Sequence, residues 1–280
     1  MRRCLFLLMI ASLQSADLNI DHVTVAGADL KQMQARLASV GIPSEFGGAH
    51  VNGATQMAIT SFPDGSYLEL IALQEHSDKK AVADHYWSKQ MLGNAGPAAW
   101  AVRSSDVAAE AARLRTAGIT VSAPSKSGRQ RPDGKRLDWE TARVGTEPNG
   151  TFFPFLIRDV TPREARAFPN GKQTTTEFAG IRKVVIAVRD LNASVKRFRQ
   201  AYGFPVPAEQ DDADLSARLA SFPGTPVVLA TPINTSSWLN RRLEDFGDGP
   251  CAFVLGSGHG TSKISWFDIE KLGWHLGVEK

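Results

Sequence analysis

His22 lies in Ile20-Asp-His-Val-Thr-Val-Ala26, a run whose alternating apolar residues predict a strand, and Glu69 lies in a similar run, Tyr67-Leu-Glu-Leu-Ile-Ala72. Alternate residues of a strand share a face, so Ile20, His22 and Thr24 go together, as do Tyr67, Glu69 and Ile71. A carboxylate among apolar neighbours is costly to bury alone, so Glu69 needs a partner. A metal ion or a cationic imidazolium would serve. His50, just after Gly47-Gly48-Ala49, could join them, and two histidines with one carboxylate is a ligand set of non-haem iron. The other reading is a His22–Glu69 hydrogen-bonded pair in a metal-free polar pocket, with His50 on a loop.

Tyr67, Trp100, Arg103 and Trp139 could line a ligand pocket, because aromatic faces with one guanidinium suit a planar or anionic small molecule. Each is also explicable as core or rim packing. His85 falls in an amphipathic connecting segment, Val82 to Leu92. Cys251 sits in an apolar run and reads as a small core residue. No zinc spacing of Cys and His, no phosphate-binding glycine pattern and no Ser-His-Asp arrangement is present.

The elements that must position these residues repeat along the chain. Ile20 to Leu30 aligns with Ile181 to Leu191, each an alternating strand ending in Asp-Leu, and Asp29 or Asp190 can cap the helix that follows. Both helices carry apolar residues at helical spacing and stop at a glycine, Gly41 or Gly203. A related unit starts at Gly96, with Asp106, a helix and Gly118, then strand-like runs at Ile119 to Val121, Arg136 to Ala142 and Thr151 to Ile157. A fourth start at Cys251 runs into Gly256-Ser-Gly-His-Gly260, where a helix cannot readily begin. The pattern predicts an α+β fold of three full βαβββ modules and one truncated module, with helices on one face of each sheet and a cup on the other. Residues 17–160 and 179–280 are expected to be the two module pairs, with 161–178 as a linker.

Composition sets bounds. The 280 residues are 42% hydrophobic and 22% charged with net charge +3, and the basic residues are spread out. Runs such as Arg129-Gln130-Arg131 read as solvated faces, so no nucleic-acid partner is expected. Arg2 and Arg3, an apolar stretch and Ser15-Ala16 predict an export signal over residues 1–16, hence a periplasmic or secreted protein. No run is long enough to cross a membrane as a helix. A homo-oligomer is compatible with this composition.

Ile20-Asp21-His22-Val23, Gly47-Gly48-Ala49-His50 and Asp64-Gly65-Ser66-Tyr67-Leu68-Glu69-Leu70-Ile71 resemble the vicinal-oxygen-chelate superfamily and, within it, the glyoxalase-like domain family. Arg131-Pro132-Asp133-Gly134, Trp139 and Phe152-Phe153-Pro154-Phe155 extend the likeness. The resemblance implies repeated βαβββ modules like those of glyoxalase, bleomycin-resistance and dihydroxybiphenyl-dioxygenase proteins. It also implies metal ligands on the first and fourth strands of a module, here His22 and Glu69, with His50 as a third. The ion would be zinc, manganese or iron, and Glu69 would also be catalytic. The corresponding positions elsewhere hold Ala99, Pro154, Lys183 and Val228, none a suitable ligand there. The implied function is a metal-dependent lyase, isomerase or oxygenase acting on a small molecule. The alternative is a metal-free protein that binds or sequesters a small ligand. Lys183, which could act as a base or Schiff-base former, is expected instead to snorkel or to pair with a nearby carboxylate.

Overall fold

The structure is a computed structural model that describes residues 18–257 and 263–279. The expected export segment and Cys4 lie outside the described residues. In chain order, β1 (Ile20–Ala26), α1 (Leu30–Ser39), β2 (Glu45–Ala49), β3 (Thr55–Ser61) and β4 (Tyr67–Leu73) form one βαβββ module. Short helices α2 (Lys79–Ala83) and α3 (Ser88–Leu92) lead to a second, made of β5 (Gly96–Arg103), α4 (Val107–Thr116), β6 (Ser125–Gln130), β7 (Arg136–Ala142) and β8 (Phe155–Asp159). After α5 (Arg163–Ala167) comes a third, with β9 (Gly180–Ala187), α6 (Leu191–Tyr202), β10 (Ala208–Asp212), β11 (Ala217–Ser221) and β12 (Val227–Pro232). Helix α7 (Trp238–Phe246) precedes the last unit, β13 (Gly249–Gly256), β14 (Ile264–Trp266), α8 (Ile269–Leu272) and β15 (His275–Glu279).

The repeated Asp-Leu pairs act as the repeat predicts. Asp29, Asp106 and Asp190 each occupy the N-cap of a helix and accept from a backbone N–H of its first turn. Such a cap stabilises a helix by about 0.5–2 kcal/mol relative to alanine. The last unit keeps two strands after β13 and a four-residue helix between them. Most of the glycine-rich stretch before β14 lies outside the described residues. Among the described residues, no helix is long and apolar enough to cross a membrane.

Two sheets result, of eight strands in the order β2-β3-β4-β1-β5-β8-β7-β6 and of seven in the order β10-β11-β12-β9-β13-β15-β14. The eight-stranded sheet curls until its edges meet: His50 and Arg129 form an antiparallel bridge, and the Val51 amide donates to the Gly128 carbonyl. Gly48 makes that closure feasible. It has φ +112, and a Cβ there would stand 2.1 Å from the Gln130 carbonyl oxygen.

One large core unites the two halves. Val23, Leu70 and Trp100 of the first sheet share it with Ile186, Leu229 and Phe253 of the second and with helix residues Leu37, Leu114 and Phe198. Part of the second sheet's other face is covered, because Leu239 and Leu243 of α7 cluster with Val185, Val228 and Ala252. Its Lys183 pairs with Glu279 at 2.7 Å, as the sequence predicts.

Three local expectations are corrected. Ile119 to Val121 is not a strand: Val121 makes an isolated bridge to Val144, and β6 begins only after Pro124, which has no N–H for a ladder. The connecting segment Val82 to Leu92 is two short helices broken at Asp84–Trp87. Residues 161–178, expected as a linker, carry α5, whose arginines reach β1.

Candidate functional site

The closed cup holds a cavity of about 90 Å³ lined by side chains from both modules. His22 and Glu69 both reach it, as alternation predicts, and His50 does so through the closure of the sheet edge. The predicted face is wrong at one residue. Ile20 pairs with Val102 and His22 with Ala101, so Asp21 is an extra residue, a β-bulge. The bulge sends Ile20 to the core and lets Asp21 turn back to its neighbour. The same irregularity recurs at Arg182 in β9, so the device belongs to the repeat.

Asp21 is buried, and its Oδ1 accepts from His22 Nδ1 at 2.6 Å. Arg166 donates to both its oxygens, at 3.0 and 2.8 Å, and Arg163 adds another hydrogen bond. Burial opposes ionisation of Asp21, but the Arg166 guanidinium and the His22 contact outweigh it and hold the carboxyl well below the usual range. An ionised Asp21 keeps a proton on His22 Nδ1 and leaves Nε2 facing the cavity. Tyr67 stacks on His22 with ring centres 4.7 Å apart and planes 5° apart, and its hydroxyl accepts from Arg166 at 2.6 Å.

Glu69 is 5% exposed, and one hydrogen bond holds it: Thr24 Oγ1 donates to Oε2 at 2.9 Å. His22 Nε2 stands 3.9 Å from Oε2, and His50 Nε2 stands 3.6 Å from Oε1. Both gaps are too long for hydrogen bonds, so the expected direct His22–Glu69 bond is not formed. His50 Nδ1 contacts Thr55 Oγ1 at 2.9 Å. Burial lowers the His50 pKa, Glu69 opposes that, and Arg129 and His22 add to it. These influences favour the neutral imidazole of His50.

The donor set was tested against the divalent ion that the resemblance implies. Two imidazoles and a carboxylate are suitable in type, and Asp21 and Thr55 orient the imidazoles from behind. As placed, however, no three His, Cys, Asp or Glu side chains among the described residues are grouped so that they could hold a metal ion. The side chains therefore do not make a metal centre in this arrangement.

Of the four expected lining residues, the cavity takes two. Tyr67 forms a wall, and Trp139 stands edge-on to His50 at 6.3 Å. Trp100 faces the other way. It pairs in register with Val23, is fully buried in the shared core, and donates Nε1–H to the Phe152 carbonyl at 3.2 Å. Arg103 ends β5 outside the cup and donates to the Asp64 carbonyl at 3.0 Å. Odd and even positions of one strand face opposite ways, and Trp100 falls on the core side with Val102.

The site also contains residues that sequence reasoning missed. Arg129, expected on a solvated face, is 2% exposed. Arg166 is equally buried, and His85 lines the cavity from the break between α2 and α3. Burial pushes the His85 pKa down to about 4. Asn149 lines the same wall, and its Oδ1 is buried with no hydrogen-bond partner. The period-2 pattern of Ser125, Ser127 and Arg129 opposite Trp139 and Thr141 was a signal available for Arg129.

Comparisons agree with this architecture. A family model described as a glyoxalase-like domain matches residues 20–182. A hypothetical protein from Staphylococcus aureus superposes with TM-score 0.67 at 14% identity, over 94% of this chain and 99% of that one. A mutant of 4-hydroxymandelate synthase from Streptomyces coelicolor gives 0.56 at 14% identity, over 92% and 74%. Methylmalonyl-CoA epimerase from Mycobacterium tuberculosis gives 0.32 at 20% identity, over 38% and 89%. No curated protein matches the sequence.

Proposed function

The chain belongs to the glyoxalase-like domain family, within the vicinal-oxygen-chelate fold, and from that premise we propose that its cup binds a small organic molecule on which Glu69 moves a proton. The observation that carries the reading is the state of Glu69. It is a buried carboxylate at a cavity wall, with a single hydrogen bond and two imidazole nitrogens just beyond hydrogen-bonding distance. A carboxylate placed for structure would be paired and saturated, as Asp21 is. In the proposed step Glu69 takes a proton from a carbon next to a carbonyl. The C–H pair becomes the enolate, and the proton returns to the same carbon or, where that carbon bears a hydroxyl whose proton passes to the old carbonyl oxygen, to the former carbonyl carbon as the new carbonyl forms. The result is an epimerase, an isomerase or, where a β-substituent leaves, a lyase. The cavity is small compared with typical drug-sized sites of about 300–1,000 Å³, which suits a compact substrate or the reacting end of a larger one.

The test is solvent exchange. Small ketones and 2-oxo acids are incubated with the protein in deuterium oxide, and loss of the adjacent C–H signal is followed by proton NMR. Exchange with the native protein and none with Glu69→Gln is expected. Saturable binding without exchange in any compound would instead make this a binding or sequestering protein.

A second reading rests on donor type alone, two imidazoles and a carboxylate lining one cavity. As placed they do not group around one ion, so zinc, manganese or ferrous iron on His22, His50 and Glu69 would require the side chains to rearrange. Metal analysis of protein purified without chelator decides this, and less than about a tenth of an equivalent, with no uptake on addition, would remove it. Export through residues 1–16 is part of the proposal, and N-terminal sequencing of the mature protein tests it.

A further inference from the structure

The buried arginines around the cup are unequally supplied with counter-charges. Arg163 and Arg166 share Asp21 and Asp159. Arg129 has no carboxylate within ion-pairing distance among the described residues. Its Nη1 donates to the Gly47 carbonyl and its Nη2 to the Arg166 carbonyl at 2.9 Å. A guanidinium carries five N–H donors, so the remaining ones have no acceptor among the described residues. A buried cation held only by neutral carbonyls is costly unless a negative charge comes to it. Glu69 is a nearby source of negative potential, but it does not touch the guanidinium.

The placement is not incidental. Arg129 is bridged to His50 where the sheet edges meet, and Gly48 permits that approach. Ser127, on the same strand face, sits opposite Trp139. Ser127, Arg129, Trp139 and His50 thus form one wall of the cavity, facing Glu69. Asn149 Oδ1 is a further buried polar atom of a cavity-lining residue without a hydrogen-bond partner, although the Asn149 side chain also contacts Tyr86.

We infer that the ligand of this cup is an organic anion, a carboxylate in the first instance, whose charged end is bound by Arg129 beside His50. This rests on the reading of the cup as a ligand site and adds to it the substrate class. The planar fork of a guanidinium matches a carboxylate, and a charge-assisted pair in a desolvated cavity is stronger than a neutral one.

The test uses acetate, the smallest probe of that class with a carbon next to the carboxylate, and acetamide, its neutral near-isostere, on the full chain at constant ionic strength. The readouts are the imidazole resonances of His50 and the melting temperature. Saturable shifts and a raised melting temperature with millimolar acetate, and neither with acetamide, are expected. Arg129→Met should weaken acetate by about tenfold or more, the scale of a lost charge-assisted hydrogen bond. Arg129→Lys should keep part of the response. No saturable acetate effect would overturn the inference, as would an equal effect of acetamide. Undiminished binding in Arg129→Met would reduce Arg129 to a tie between strands. Should Arg129→Met fail to fold, the acid–amide comparison on the native protein and Arg129→Lys still decide. Failure of proton exchange with acetate still bound would remove the proposed chemistry and leave the anion site standing.

Discussion

Asp21 and Glu69 are both buried carboxylates of the first module, and their surroundings give them different roles. Asp21 is saturated by His22, Arg163 and Arg166, whereas Glu69 keeps one hydrogen bond. Removing Asp21 leaves Arg166, which is 2% exposed, with Asp159 as its remaining carboxylate, and takes the acceptor from His22 Nδ1. Asp21→Leu is therefore expected to cost about 3–5 kcal/mol in urea unfolding, the scale of a broken buried pair. Glu69→Leu removes a charge that no direct ion pair satisfies, so its melting temperature should equal or exceed the native value while exchange activity disappears. A large loss of stability in Glu69→Leu would mean that the carboxylate is structural. His22, Glu69 and Tyr67 were legible as cavity-lining residues because strand alternation places them, whereas His50 and Trp139 were named by residue type and reach the cavity through the closure of the sheet. Asp21 was not, since alternation puts a neighbour of His22 on the opposite face and only the bulge turns it back.

At the level of elements, the site depends on how the first sheet closes. Ala at position 48 would combine φ +112 with a contact to the Gln130 carbonyl that cannot be kept. Gly48→Ala is expected to cost about 1–3 kcal/mol and to shift the His50 resonances, because β2 and β6 must part. Gly41 provides the comparison. It also has positive φ (+84), but a Cβ there would meet nothing within 4 Å, so Gly41→Ala should cost only about 1–2 kcal/mol of backbone strain and leave His50 unmoved. Equal His50 shifts in both variants would show that closure does not position the site. Strand and helix order was readable from the Asp caps, the glycine stops and apolar spacing. The role of α5 was not, because a short polar segment carries no periodic signal and its importance comes from Arg163 and Arg166 meeting Asp21.

Across the whole molecule, the two halves are joined by one core in which Trp100 is completely buried. Trp100→Ala should cost about 3–5 kcal/mol and lower a single unfolding transition, without changing ligand affinity per folded molecule. Two separate transitions would contradict a shared core. The histidines set the pH response. Burial holds His85 and His275 down to about 4, against 6.5 in the unfolded chain, and lowers His50 as well. Between those values the unfolded chain binds protons that the folded one does not. Stability is therefore full above about pH 6.5, falls as pH drops toward 4, and changes no further from these groups below it. Asp21 acts in a lower window: its contribution is present above its unfolded value of 3.8 and is lost as pH falls through its depressed folded value. Melting temperatures from pH 8 to 4.5 should trace the histidine loss, and His85→Gln with His275→Gln should flatten the curve. An unchanged slope in the double variant would refute this assignment.

By itself the sequence determined the module, its repetition and the strand faces that carry His22 and Glu69. Caps, stops and hydrophobic period are local, and each βαβββ unit encodes its own. Only the tertiary structure decided what surrounds them. The edges of a curled sheet meet at residues far apart in the chain, so Arg129 comes beside His50, and Arg166 comes to Asp21 from a segment with no pattern of its own. The cover on part of the second sheet was likewise decided in three dimensions, where α7 clusters with Val185 and Val228. The physical reason is that charge pairing and cavity shape depend on distance in space, whereas period and capping depend on distance along the chain.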